Sequence, residues 1–304
     1  MSIDQIVAEL SSSPLGAVFA FVWGALWGSF ANVCVVRVPL KLSVVRPGSK
    51  CFACNKPVAW YDNLPILSWF ILRGKCRNCG AKFSIRYALV EAAAGLLALA
   101  LWQITVIAPV AGDFPPMQLG RFFIYFYFVM VMLTLAFIDL DTKTLPDVIT
   151  LPSIIIFYVA GLALPERRWL DGVIGIAAGY LVVRAIADGY YYLTGREGMG
   201  YGDGKLLAVI GALLGWQAIP FAMFVGSMLG TVIALPVLIV QRRKAAATQP
   251  APAPAPDTDA DTDADADAPA LRHLEIPFGP FLILGALAYL FFGKTLTTLW
   301  LGAL

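Results

Sequence analysis

The chain is poor in the groups on which soluble enzymes rely. It has one histidine in 304 residues, His273, and only 14% of its residues are charged. Ser–His and Cys–His nucleophile chemistry therefore lacks support: His273 lies beside a polar low-complexity tract, and the isolated Cys34 sits in an apolar run. The glycine-rich stretch near 200 lacks the Gly-Lys-Ser/Thr ending of a phosphate-binding loop and the x-x-Gly spacing of a dinucleotide fingerprint. No basic region precedes the first apolar run, and Asp4 and Glu9 stand where one would be, so that run is read as an uncleaved span rather than a signal peptide. With 59% hydrophobic residues and a mean hydropathy of +0.76, the chain falls outside soluble globular composition and is read as a membrane protein.

Acids are almost missing from one segment. Between Arg37 and Arg86 there are ten Lys or Arg against the single acid Asp62, a local charge of about +9 that the whole-chain value of +2 conceals. By the positive-inside rule this loop is expected in the cytoplasm. Apolar runs then suggest spans near 14–36, 87–109, 121–140, 147–164, 170–193, 205–216, 218–241 and 276–293. The run at 205–216 is short, so the count is eight spans, or seven if that element is a hairpin or re-entrant. The expected architecture is an all-α polytopic membrane protein with a small cytoplasmic insert. Its divisions are an N-terminal segment and first span (1–37), the insert (38–86), a transmembrane core (87–244), a linker (245–275) and a last span with the C-terminus (276–304). Orientation agrees with the Gln241-Arg242-Arg243-Lys244 sequence inside, whereas Arg167 and Arg168, on the expected outer side, count against it.

The segment from 245 to 275 alternates Ala and Pro and then carries six Asp between 257 and 267, a composition expected to be disordered; no loop glycine accompanies the acids as calcium binding would require. The other four cysteines form Cys51-x2-Cys54 and Cys76-x2-Cys79, separated by 21 residues. Four thiols so spaced fit a tetrahedral structural zinc site better than disulfides in a cytoplasmic setting. An all-cysteine set leaves no position for water, so this zinc is expected to serve folding and not catalysis. Nucleic-acid binding is not expected, because topology and membrane lipid already account for the basic charge.

Carboxylates at span ends are functional candidates, since burying them is costly. One group is Asp139, Asp141 and Asp147; the other is Asp203, followed by Lys205 and flanked by Gly200 and Gly202, which would let a substrate strand approach closely. Helix capping is the plainer reading of Asp147, and it also suits Asp203. Two carboxylates from different helices, one ionised and one protonated, would activate water and protonate a departing amine as in aspartic proteases.

Six blocks in order resemble the type IV prepilin leader peptidases: Gly28 to Val33 with Arg37-Val38-Pro39; the two Cys-x2-Cys pairs around Asp62 to Ser68; Ser84 to Glu91; Ile138 to Asp147; Gly198 to Lys205; and Ile276 to Pro280. Ala88 departs from the proline usual after Arg-Tyr. The resemblance implies catalytic aspartates at Asp203 and Asp139, with Asp141, Asp147, Gly200, Gly202 and Lys205 supporting, although the residues themselves do not rank Asp139 above Asp141. It further implies an enzyme of the bacterial inner membrane that cleaves prepilins or type II secretion pseudopilins after a glycine at the cytoplasmic face and works with the pilus or secretion machinery. Many relatives also methylate the new N-terminus with S-adenosylmethionine, and the cysteine-bearing insert is similar to theirs. No spacing identifies a methyl-donor pocket. A peptidase without methyltransferase activity, a proton-coupled transporter using the same carboxylates, and a zinc-based assembly module are the competing readings.

Overall fold

The computed structural model describes residues 5, 8–10, 13–110, 112–195, 200–248 and 277–301, without the side chains of 234, 237–248 and 294–301. His273, Gly198, Ile276 and the linker from 249 onward therefore lie outside the described residues, as do the side chains of the basic group at 241–244. The described residues are helical and include no strand. In chain order the helices are α1 (Pro14–Arg37), α2 (Leu67–Ile71), α3 (Arg86–Trp102), α4 (Pro115–Thr142), α5 (Asp147–Leu162), α6 (Trp169–Thr194), α7 (Tyr201–Leu214), α8 (Ala218–Thr248) and α9 (Gly279–Leu301). A π-helical turn, Gln103–Ile107, extends α3, and α8 runs to Thr248, past the boundary expected near 241.

Among the described residues, four elements are long and apolar enough to cross a membrane: Pro14–Arg37, Arg86–Ile107, Pro115–Thr142 and Trp169–Thr194; Asp147–Leu162, Ala218–Ile233 and Gly279–Gly293 are shorter apolar helices. Prolines set several starts. Pro14 and Pro115 occupy first-turn positions, where the missing N–H costs nothing, and Pro146 immediately precedes α5.

Close packing comes from small residues, as expected where lipid removes most of the hydrophobic drive between helices. Helices α1 and α3 meet through Gly24, Gly28, Ala94 and Gly95; α6 and α7 cross where Gly175 and Gly211 touch backbone to backbone. Helix α7 has only 14 residues, about 21 Å against a hydrocarbon thickness of about 30 Å. It is nevertheless buried continuously from Leu206 to Leu214, a core helix apolar on every side. Gly215, at φ +83°, stops it in a conformation that suits glycine. Arg167 donates to the Leu214 carbonyl, which would otherwise lack a partner at the helix end. The arginine that argued against the expected orientation is thus engaged in a local contact.

Candidate functional site: a carboxylate pair and a four-cysteine insert

Asp139 lies in the last turn of α4 and is 5% exposed. Its carboxylate abuts Gly279 at the start of α9. Asp203 is half-buried in the first turn of α7, and Leu206, one turn on, lies with the Asp139 carboxylate beside Gly279. No cation is paired with either aspartate among the described residues.

The neighbouring acids behave differently. Asp141 pairs with Arg86 at 2.6 Å, and the guanidinium of Arg86 also reaches the Phe137 carbonyl and stacks 5.0 Å over the Phe137 ring. Asp147 pairs with Lys205 at 2.5 Å. Neither Asp147 nor Asp203 makes a side-chain cap hydrogen bond; Pro146 and Gly200 occupy the N-cap positions. The capping reading of these acids is therefore corrected: with Lys205 within reach from α7, Asp147 turns to a cation.

The glycines of the loop divide by surroundings. Gly200 has almost nothing near the place where a Cβ would stand, and Gly202 has only ordinary contact with Leu145, whereas Gly204 packs tightly on Tyr180 and Val183 of α6. Gly279 emerges as a site residue that reading the sequence missed. A Cβ there would fall 2.5 Å from the Asp139 carboxylate, so glycine is needed for the carboxylate and the α9 N-terminus to meet. Its place in the Ile276 to Pro280 block and its flanking prolines were the signals in the sequence, and neither says what faces it.

In the insert, the four cysteine sulfurs all lie within 4.8 Å of one another. Cys51 Sγ and Cys79 Sγ are 3.8 Å apart, the edge of a tetrahedron with metal–sulfur bonds of about 2.3 Å. Each pair sits in a turn closed by an isolated antiparallel bridge, Lys50 with Pro57 and Lys75 with Lys82. Backbone N–H groups of Cys54 and Ala53 point at the Cys51 sulfur and draw its pKa down to about 6, toward the thiolate that binds metal. The donor set thus fits a tetrathiolate metal ion. Asp62 accepts a bidentate bond from Arg77, which holds its carboxyl below the usual range and ties the loop between the pairs to the second pair.

Fold and site together define a multi-pass helical membrane protein with a thiol cluster on one insert and two carboxylates on neighbouring helix ends. Comparison with known proteins makes the class specific. Residues 22–104 match the bacterial peptidase A24 N-terminal domain, and residues 126–235 match the type IV leader peptidase family. Proteins named prepilin leader peptidase/N-methyltransferase are similar: one from Myxococcus xanthus is 36% identical over 78% of this chain and 67% of its own, and one from Aeromonas salmonicida is 31% identical over 93% of each. A third, from Klebsiella pneumoniae, is 37% identical over 69% of this chain and 90% of its own. No solved structure matches. The chain belongs to the type IV leader peptidase family.

Proposed function

We propose that this protein is an aspartic endopeptidase of the bacterial inner membrane that removes the leader of type IV prepilins or type II secretion pseudopilins after a glycine, and methylates the new N-terminal residue from S-adenosylmethionine. The observation that supports the reading is that the helix ends carrying Asp139 and Asp203, each without a cation among the described residues, come together at Gly279 in a chain of this family.

Catalysis by such a pair needs one carboxylate ionised and one protonated. The ionised group takes a proton from water as the water oxygen bonds to the scissile glycine carbonyl carbon. The protonated group then gives its proton to the departing nitrogen as the C–N bond breaks. Gly279 positions Asp139, and Gly200 and Gly202 leave room for an extended substrate backbone. S-adenosylmethionine, when bound, would supply the methyl group for the freed amine.

The rest of the reading follows the same frame. All eight long helices would traverse or line the bilayer, with the insert and the aspartates cytoplasmic, and 245–275 would be a non-catalytic linker. Cys51, Cys54, Cys76 and Cys79 would hold a structural zinc ion that fixes the insert. Carboxylates at helix ends fit proteolysis at the membrane face better than a proton relay, which needs them near the midplane.

The test is cleavage of a prepilin in membranes by wild type, Asp139→Asn, Asp203→Asn and Asp141→Asn, with mass analysis of the mature N-terminus. Loss of cleavage in the first two variants, with Asp141→Asn still cutting, supports the pair. Cleavage at the wild-type rate by Asp139→Asn or Asp203→Asn sinks it, and a mature N-terminus without the added methyl removes the second activity.

A further inference from the structure

Helix α2 faces its apolar side outward. Leu67, Phe70 and Ile71, at i, i+3 and i+4, are 59%, 63% and 67% exposed, whereas Ser68 between them is buried and donates to the Tyr61 carbonyl. A helix on an aqueous domain shows the opposite arrangement. Nearby Trp60 is 79% exposed, and Arg73 and Lys75, immediately after the helix, are exposed with no acidic partner among the described residues.

The position of α2 relative to the bilayer is fixed by its entry. Ile66 has φ 64° and ψ −55°, and Leu67 N–H donates to the Pro65 carbonyl at 2.6 Å, a tight γ-turn that a β-branched residue adopts only under external constraint. The constraint is Glu91 of α3, whose carboxylate accepts the Ile66 N–H at 2.7 Å. Glu91 lies five residues past Arg86, about 7.5 Å along the helix axis. Arg86 begins one candidate span and Asp141 lies at the end of another, and their ion pair sets a polar level between the two. The start of α2 is thus bonded to a side chain inside that candidate span, with an apolar face that no other part of the described chain covers.

We infer that α2 is an interfacial anchor: Leu67, Phe70 and Ile71 enter the headgroup–acyl boundary of an anionic bilayer, and Arg73 and Lys75 sit on lipid phosphates. Depth and charge select this occupant. An acidic protein would suit the cations but not the level of the helix, and interfacial helices combine an apolar face with flanking Lys or Arg in this way. The insert, already tethered at Arg37 and Arg86, is thereby held flat against the membrane by a third point. This inference stands independently of the peptidase assignment.

The experiment places a nitroxide, through a ketone-bearing amino acid, at position 70, 71 or, for reference, the exposed position 56 of the full chain. The protein is reconstituted in phosphatidylcholine vesicles with and without phosphatidylglycerol, and zinc content is checked. At 70 and 71, collisions with oxygen are expected to exceed those with a water-soluble nickel chelate several-fold, with the reverse at 56. In Arg73→Gln/Lys75→Gln protein, the phosphatidylglycerol-dependent part of the depth is expected to vanish. Dominant nickel collisions at 70 and 71 would place α2 in water, and exclusion of both reagents would mean protein, such as a second copy, covers it; either overturns the inference. Equal depth with and without phosphatidylglycerol in unsubstituted protein overturns its anionic part.

Discussion

Helix α4 buries a charge near each end, and the two are treated in opposite ways. Arg121, 2% exposed, is bound by Asp113 at 2.9 and 3.1 Å and by Glu166. Asp139, 18 residues further and about 27 Å along the axis, meets the Gly279 backbone, has no cation beside it among the described residues and, in the proposed reading, shares its site with a second carboxylate. A buried charge surrounded by counter-ions is a structural solution, since its desolvation is offset by pairing. A buried carboxylate beside another is destabilising, and it persists where the like charges serve a purpose. The Arg121 cluster joins the chain before α4 to the α5–α6 connection, and it leaves the carboxylate end free to be less stable.

The comparison breaks most sharply at the carboxylates. Asp139→Asn or Asp203→Asn should lower cleavage by ~10²-fold or more, the scale of lost general acid–base catalysis, without reducing folded protein. Thermal unfolding in detergent should show a midpoint equal to or above wild type, because a like-charge contact has been relieved. Next comes Gly279→Ala. Its added carbon would require the Asp139 carboxylate or the α9 start to move by about an ångström, and misplacement on that scale can cost up to ~10²-fold in rate. Cleavage kinetics should show the loss in kcat while zinc content stays unchanged.

At the other end the expected signs reverse. Arg121→Met leaves Asp113 buried without its cation and should cost about 3 kcal/mol of stability, the lower part of the range for breaking a buried pair because Glu166 is partly exposed. Activity per folded molecule should remain. Membrane abundance read against specific cleavage activity would check both halves, and an inactive but well-folded Arg121→Met protein would dissolve the division between the two ends. Removing a thiol tests a third region: Cys51→Ser should lose the zinc proposed for the four thiols and open the insert to protease, with limited proteolysis and metal analysis as the readouts.

Much of this was legible beforehand. Helix boundaries follow apolar runs and prolines, and the four thiols announce their cluster by spacing. What was not legible depends on angle and long-range position. Asp139 and Asp141 are two residues apart, about 200° around a helix, so only one can face the core, and nothing local says which. The answer comes from Arg86, 55 residues away in sequence from Asp141. The same holds for Asp147: its position beside a helix start suggested a cap, but Lys205 reaches it from a helix 58 residues on. Gly279 acquires meaning only when α9 is packed against the end of α4.

Those two ion pairs give the finest comparison, because each acts two residues away from a candidate catalytic carboxylate. Asp141 ties the end of α4 to the first residue of α3, where the insert returns to the membrane; Lys205 ties α7 to the start of α5. Both pairs are exposed enough that either should contribute about 1 kcal/mol or less to stability. If they also position the dyad, Arg86→Gln and Lys205→Met should each lower kcat a few-fold with KM and unfolding midpoint nearly unchanged. Charge reversal within a pair, Arg86→Asp with Asp141→Arg, should recover most of that loss, since the link needs opposite charges and not a particular order. A double variant no better than its worse single parent would mean that Arg86 acts through its stacking on Phe137, and that the geometry of the carboxylates is set by helix packing alone.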